Sequence, residues 1–213
     1  MPLIDERLAE KFGKDESYYD QRDSEYHLSS IGKCPRYIFL DRTQNRPEPE
    51  KNKRIFIMGK VIHEFLQKDI FGDYIQEEQL KYVKEGVTFV GRMDLYNEKE
   101  ILELKSCSSM QYLVEPKPEH VVQTNCYMGI RGIHQAQIIY VNKMDFSTVS
   151  FSIKFSKELF DESINNIIKI DRKIQAGVDY HDIGQKIGHE CKYCKYSDLC
   201  GFSREKQVKL NGK

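Results

Sequence analysis

The chain has 213 residues, of which 39 % are hydrophobic, and its 33 Lys and Arg residues balance its 33 Asp and Glu residues. This length suits one domain, and the balanced charge gives no sign of a polyanionic partner, although steering depends on where charges lie. No apolar run approaches the roughly 18 residues that span a membrane, and the charged N-terminus lacks a secretory apolar segment. We therefore expect a cytoplasmic protein with no membrane partner.

The first half of the chain predicts two helices followed by a three-stranded meander. A short helix is expected over 31–42, where Ser29 or Ser30 can cap it and Pro35 must lie in the first turn. After a polar loop over 43–53, apolar residues at helical spacing predict a longer helix. Strands are then predicted over 77–83, 87–97 and 100–107, with a hairpin turn between the last two.

The second half predicts a helix after Pro118, two strands over 136–143 and 147–156, and a long helix capped by Ser156 and ended by Gly177. The complete order is helix, helix, meander, helix, two strands, helix. This order indicates a mixed α/β domain with helices packed on a twisted central sheet.

Two carboxylates and a lysine stand within this predicted sheet. Glu103 and Lys105 are two residues apart on one strand and therefore share a face, whereas Leu102 and Leu104 point to the opposite, apolar face. Through the hairpin, Asp94 on the preceding strand can come opposite or diagonal to Glu103. An ordinary surface hairpin with a Glu–Lys pair would explain so short a pattern, but charge is costly in a strand that is otherwise apolar.

A divalent cation between the two carboxylates would offset their repulsion, and hard oxygen ligands suit Mg²⁺ or Mn²⁺. Beside such an ion, Lys105 can hold a water or stabilise charge that develops on a phosphate. His63, on the preceding helix, can add an imidazole ligand, which favours Mn²⁺. Gln123 and Tyr127 are four residues apart on the next helix and share one face of it.

The six cysteines are unevenly placed. Cys191, Cys194 and Cys200 are crowded near the C-terminus and, together with the distant Cys34, give four potential thiolates. On chemistry alone this set suits Zn²⁺ or a [4Fe–4S] cluster equally well, and either would join the two ends of the chain. We interpret the remaining two, Cys107 and Cys126, as buried small residues.

Taken in chain order, these segments resemble the PD-(D/E)xK nuclease superfamily, in particular its RecB-like branch with an iron–sulfur cluster, and most of all the fourth CRISPR-associated (Cas) protein family. The similarity runs from about Ser29 to Cys200. It rests on six segments in family order: SSIGKCPRYIFLDR with Cys34, GKVIHEFLQ with His63, GRMDL with Asp94, ELK with Glu103 and Lys105, QTNCY with Gln123 and Tyr127, and the final C-x₂-C-x₅-C.

The resemblance implies a restriction-endonuclease-like core over 1–213, with 29–42 and 187–202 forming a four-cysteine subdomain that holds a [4Fe–4S] cluster through Cys34, Cys191, Cys194 and Cys200. It also implies that Mg²⁺ or Mn²⁺ is held by His63, Asp94, Glu103 and the Leu104 carbonyl. Asp94, Glu103 and Lys105 would be the catalytic residues, with Lys105 positioning water, while Gln123 and Tyr127 would contact DNA or support the site.

The function implied is a deoxyribonuclease that degrades single-stranded DNA, often 5′→3′, and trims prespacers for CRISPR adaptation, with the CRISPR integrase complex as a partner. Two other interpretations stay open at this stage. A stand-alone RecB-like exonuclease of repair, recombination or a mobile element would catalyse the same reaction in a different biological process. A non-catalytic, cluster-stabilised DNA-binding module would have no physical reason to keep Asp94, Glu103 and Lys105.

Overall fold

The computed structural model describes residues 24–200. Of the single domain expected over 1–213, residues 1–23 and 201–213 lie outside the described residues, as does the end of the predicted 187–202 segment. The strands are β1 (Glu25–His27), β2 (Ile75–Lys84), β3 (Val87–Tyr96), β4 (Ile101–Cys107), β5 (Gln135–Asn142) and β6 (Thr148–Lys154). The α-helices are α1 (Pro35–Gln44), α2 (Glu50–Phe65), α3 (Pro118–Arg131) and α4 (Lys157–Gln175).

A single mixed sheet contains all six of these strands in the described part of the chain. β3 pairs along its whole length with β2, antiparallel, while its other edge is shared by β1, which is parallel to it, and β4, which is antiparallel. β4 and β5 are parallel neighbours joined through α3, and β5 pairs with β6 in an antiparallel hairpin. The parallel pair requires a crossover connection, which α3 supplies.

The shared edge of β3 contains a fork. β1 pairs with residues 88–90 of β3, whereas β4 pairs only at Leu95–Leu102 and Tyr96–Ile101. Gly91 lies in the fork, and a Cβ placed on it would be 2.7 Å from Cε1 of Tyr127. Only a residue without a side chain therefore lets the Tyr127 ring approach this part of β3 so closely.

Two apolar clusters hold the helices against the sheet. The larger includes residues of α1, α3 and α4 together with β3, and the Ile164 and Ile168 side chains of α4 are buried in it. The smaller lies under α2 and consists of Ile62, Leu66, Leu95, Leu102, Leu104 and Val141. The prediction that Leu102 and Leu104 face apolar cover is therefore confirmed.

The mixed α/β architecture and the meander are confirmed, but several local predictions are wrong. The first strand was not predicted, and α2 begins at Glu50, inside the segment expected to be a loop. Neither Ser29 nor Ser30 caps α1, because both lie in a separate 3₁₀ turn and Cys34 occupies the N-cap position. Pro35 does lie in the first turn. Within 24–200, no helix is both long enough and apolar enough to cross a bilayer.

Candidate active site

The fork between β3 and β4 brings together the side chains that the sequence singled out. Asp94, at the β3 side of the fork, accepts a hydrogen bond from the Leu104 backbone N–H at 2.8 Å through Oδ2. Its other oxygen, Oδ1, lies 3.5 Å from Nδ1 of His63 on α2. The prediction that Asp94 reaches the strand that carries Glu103 is confirmed, although the contact lies beyond the end of the β3–β4 ladder.

A chain of hydrogen bonds runs from β4 to α3. Lys105 Nζ donates to Glu103 Oε1 at 2.6 Å and to Gln123 Oε1 at 3.0 Å. The amide nitrogen of Gln123 then donates to the Tyr127 hydroxyl at 2.8 Å. Glu103 and Lys105 share a face of β4, as alternation predicts, and Gln123 and Tyr127 share a face of α3. Gln123 therefore contacts Lys105 directly, and Tyr127 contacts Gln123.

The buried environment shifts the protonation equilibria of the charged groups. The pKa of Glu103 is raised to about 7. Burial is the largest cause and the charge of Asp94 adds to it, whereas the Lys105 cation opposes both. Burial lowers the pKa of Lys105, but the charges of Glu103 and Asp94 outweigh burial and leave it raised. The pKa of His63 is raised in the same way, because its contact with Asp94 outweighs desolvation. Near neutral pH, Glu103 is thus poised between its two charge states.

An unsatisfied carboxylate oxygen tests whether these residues suit a metal ion. Glu103 is only 1 % exposed, and its Oε2 is buried without a hydrogen-bond partner among residues 24–200. Because the N–H and C=O of one residue in a strand point to the same side, the Leu104 carbonyl also faces the fork. Carboxylate, imidazole and carbonyl donors suit Mn²⁺ or Mg²⁺, so the donor set fits such an ion.

The arrangement is nevertheless not a closed coordination shell. Among the residues that the structure describes, no group of three or more His, Cys, Asp or Glu side chains is positioned to hold a metal ion. In the site, Glu103 turns toward Lys105 and Asp94 toward the Leu104 N–H. Binding an ion therefore requires the two carboxylates to exchange part of these contacts for the metal.

The four clustered cysteines come from the two ends of the described chain. Burial raises the pKa of the Cys194 thiol, and the charges of Cys200, Cys191 and Cys34 add to this effect. Within residues 24–200, no three of these cysteines are positioned to hold a metal ion, so the predicted four-cysteine clasp is not shown. None of them forms a disulfide. Backbone N–H groups donate to the sulfur of Cys34 at 3.2 Å and to that of Cys194 at 3.4 Å. The other prediction, that Cys107 and Cys126 are buried, holds for Cys126 but not for the half-buried Cys107.

A polar network beside these cysteines was not predicted. Lys195 Nζ, whose side chain is 6 % exposed, lies 2.7 Å from Asp41 and 3.4 Å from Glu48. The Tyr196 hydroxyl also donates to Asp41, at 3.0 Å. These contacts join the C-terminal segment to α1 and the loop that follows it. Because the partners are about 150 positions apart in the chain, no local pattern could have indicated the pairing.

His120 is a second residue that the sequence analysis missed. It lies in the first turn of α3, three residues before Gln123, and therefore on the same side of the helix. Its ring contacts Tyr140 of β5, and its pKa is lowered to about 3 by burial and by the charges of Lys105 and Lys117. In the sequence, the only indication that His120 lies near the site was its position three residues before Gln123 on the same predicted helix.

Comparison with known proteins gives a likeness of structure but not of sequence. No protein family matches the chain, and no curated protein matches its sequence. The alkaline exonuclease LHK-Exo of Laribacter hongkongensis, in its complex with dAMP, is 12 % identical with a TM-score of 0.57, and the match covers 88 % of this chain and all of that one. This chain shares its fold with that exonuclease.

Two further solved structures share this exonuclease fold. A protein designated SSO0001 is 18 % identical with a TM-score of 0.67, and the match covers 92 % of this chain and 96 % of that one. A phage-related exonuclease of Haemophilus somnus 129PT is 14 % identical with a TM-score of 0.50, and the match covers 73 % of this chain and 97 % of that one. At such identities the exonuclease fold is what the likeness establishes.

Proposed function

We propose that the chain is a metal-dependent deoxyribonuclease of the PD-(D/E)xK type. The observation that carries this proposal is the buried Glu103 carboxylate, whose Oε2 has no partner and which lies at the fork with Asp94 and Lys105. A fully buried, partly unsatisfied acid beside a second acid is costly for stability. The arrangement is explained if the site exists to bind a cation and a phosphate. The fold shared with exonucleases supports the same function.

The ion proposed is Mn²⁺ or Mg²⁺, held by His63, Asp94, Glu103 and the carbonyl of Leu104. When bound, it would neutralise charge on the phosphodiester and acidify a water molecule, which becomes the nucleophile. The Leu104 N–H holds Oδ2 of Asp94, and part of this contact would be exchanged for the ion. Glu103 loses its proton readily in this role, because its pKa lies near neutrality rather than far above it.

Lys105 is the residue of this chain proposed to act on the reacting atoms. The ammonium group of Lys105 remains charged, because its pKa is raised. The Lys105 side chain is 20 % exposed, so part of it can contact the substrate. There it orients the attacking water and stabilises negative charge that accumulates on the phosphate. The Gln123 carbonyl oxygen holds the ammonium group, and Tyr127 orients Gln123 in turn. Tyr127 stays neutral, because burial raises its pKa well above the ordinary value.

A second metal group is proposed at Cys34, Cys191, Cys194 and Cys200. Two of the four sulfur atoms accept backbone N–H bonds, which suits thiolate ligands. The motif resemblance favours a [4Fe–4S] cluster, and Zn²⁺ is the alternative that the same sulfur ligands accept. Iron and inorganic sulfide in equal amounts in anaerobically purified, brown protein would support the cluster, whereas colourless protein with one zinc per chain would contradict it.

For the substrate and biological role we propose single-stranded DNA, degraded 5′→3′, in prespacer trimming together with the CRISPR integrase complex. The support for this role is the set of six ordered motifs. The dAMP bound to the alkaline exonuclease is in keeping with a deoxynucleotide product. The role is tested by prespacer trimming with and without the integrase, since a stand-alone exonuclease would trim equally in both.

The nuclease proposal is tested with DNA labelled at either end. The wild type, in Mn²⁺ or Mg²⁺, is expected to degrade single-stranded DNA, and EDTA is expected to stop the reaction. Asp94→Ala and Lys105→Ala should abolish degradation while the thermal unfolding curve stays cooperative. Degradation at the wild-type rate by either variant would overturn the assignment of the site. DNA binding without hydrolysis by the wild type would favour the non-catalytic module instead.

A further inference from the structure

His120 and Tyr140 form a hydrogen-bonded pair beside the proposed site. His120 Nδ1 lies 2.7 Å from the Tyr140 hydroxyl oxygen, and the two rings are in contact at 5.6 Å between centroids. The same hydroxyl oxygen accepts a hydrogen bond from the Lys117 backbone N–H at 2.9 Å. Tyr140 is buried, with 1 % of its surface exposed. The pair therefore sits at the junction between β5 and the start of α3.

These contacts determine which nitrogen of His120 carries the proton. A tyrosine hydroxyl has one proton to donate, and a neutral imidazole has one donor and one acceptor nitrogen. In the described part of the chain, the Tyr140 hydroxyl contacts the Lys117 N–H, which is a donor, and His120 Nδ1, so Nδ1 is the acceptor available to the buried hydroxyl proton. Nδ1 is then the acceptor, and the ring proton is held on Nε2. Burial favours this neutral form further.

The Nε2–H group is thus a hydrogen-bond donor that has no acceptor within the described part of the protein. No residue in the described part of the chain forms a hydrogen bond with Nε2. The ring is near the Lys105 ammonium, whose charge acts on it, and Tyr140 pairs with Lys105 in the β4–β5 register. His120 is also one helical turn from Gln123, which binds Lys105 directly. This donor therefore lies on the side of α3 that carries Gln123, and its partner Tyr140 neighbours Lys105 in the sheet.

We propose that His120 binds substrate: its Nε2–H donates a hydrogen bond to a non-bridging oxygen of a DNA phosphate beside Lys105. This inference rests on the proposed nuclease function. Tyr140 acts as a positioning residue, because it sets the tautomer and the angle of the ring. A neutral donor at this place adds directional recognition to the point charge of the lysine.

The test compares His120→Ala and His120→Gln on DNA with one phosphorothioate of defined stereochemistry at the cleaved position. His120→Ala should lower kcat/KM on ordinary DNA by about tenfold to a hundredfold, in line with the loss of one hydrogen bond to a charged group. His120→Gln, which retains an N–H near Nε2, should recover part of that loss. Sulfur is a weak hydrogen-bond acceptor. On the phosphorothioate isomer in which sulfur replaces the contacted oxygen, the wild type and His120→Ala should therefore have nearly equal kcat/KM.

Each outcome separates this inference from the nuclease proposal. If Asp94→Ala abolishes cleavage but His120→Ala cleaves all substrates like the wild type, the role of His120 is rejected and the nuclease stands. A His120→Ala penalty that is equal on both phosphorothioate isomers and on ordinary DNA would also reject the contact. If neither Asp94→Ala nor Lys105→Ala affects cleavage, the proposed function itself fails.

A measurement on the wild type covers the case in which the variants fold poorly. With ¹⁵N-labelled histidine, the His120 ring should show an unprotonated Nδ1 and a protonated Nε2. In EDTA, which prevents hydrolysis, addition of a single-stranded oligonucleotide should shift the Nε2–H resonance of His120. An Nδ1-protonated ring, or an Nε2–H signal that is unaffected by saturating DNA, would overturn the inference.

Discussion

Glu103 should make the stability of the metal-free protein fall as the pH rises toward neutrality. Burial raises its pKa from the ordinary 4.5 to about 7, despite Lys105. A group with a higher pKa in the folded state stabilises the fold when protonated, so this contribution is complete below pH 4.5 and is lost as the pH rises through 7. At 1.36 kcal/mol for each unit of pKa, the loss is about 3 kcal/mol in the free energy of unfolding.

Lys105→Met removes the cation that holds the pKa of Glu103 down. With that pKa raised further, the stability of the variant should continue to fall above pH 7 by about 1.4 kcal/mol per pH unit, whereas the wild type levels off. Between pH 7 and pH 9 the difference between the two should therefore grow by up to about 3 kcal/mol. A constant cost adds to this, because the hydrogen bond from Lys105 to Gln123 is lost at every pH.

The assay is urea unfolding followed by circular dichroism in EDTA at pH values from 5 to 9. Titrating groups that Lys105 does not influence cancel in the difference, whereas His63, whose pKa the Lys105 charge lowers, contributes to it. The double variant Glu103→Gln/Lys105→Met is the control, since it lacks the titrating acid and should not diverge further above pH 7. Unfolding free energies of Lys105→Met and wild type that run parallel from pH 7 to 9 would refute the role assigned to Glu103.

Three further predictions concern packing and hydrogen bonds around the site. Tyr127→Phe removes the acceptor for the buried Gln123 amide and should lower the free energy of unfolding in urea by about 1–3 kcal/mol. The control Tyr82→Phe should lower it little, and equal losses for the two variants would show that the Gln123–Tyr127 bond is not important. Gly91→Ala puts a Cβ against the Tyr127 ring and should lower both the melting temperature and nuclease activity, while Gly184→Ala, where a Cβ meets nothing within 4 Å, should change neither. Lys195→Met removes a buried cation that contacts both Asp41 and Glu48 and should destabilise by about 3–5 kcal/mol in urea unfolding, whereas the exposed Lys81→Met should cost almost nothing; a small loss would mean that solvent reaches this network.

The sequence predicted the parts of the site that depend on local periodicity. Alternation along β4 put Glu103 and Lys105 on one face, and helical spacing put Gln123 and Tyr127 on one face of α3, and the structure has both. These inferences work because a strand repeats every two residues and a helix every 3.6, whatever the rest of the fold does. The hairpin likewise brought Asp94 to β4.

What the sequence could not predict depends on contacts between distant segments. β1 has three residues, too few for an alternating pattern, and it exists because it pairs with residues 88–90 of β3. The tautomer of His120 depends on Tyr140, twenty positions later, and on a backbone N–H. The cap predicted at Ser29 or Ser30 failed because the chain first makes a 3₁₀ turn. Such features follow from packing and not from the identity of nearby residues.

The fork in the sheet leaves a backbone N–H of β4 to the Asp94 side chain. Only two residue pairs hold β3 to β4, and past them a single hydrogen bond, from the Leu104 N–H to Asp94, crosses the opening. A continuous ladder would occupy the Leu104 N–H with a backbone carbonyl, whereas here this N–H holds the Asp94 side chain. The proposed Mn²⁺ or Mg²⁺ would therefore lie where side chains, and not backbone pairs, span the two strands.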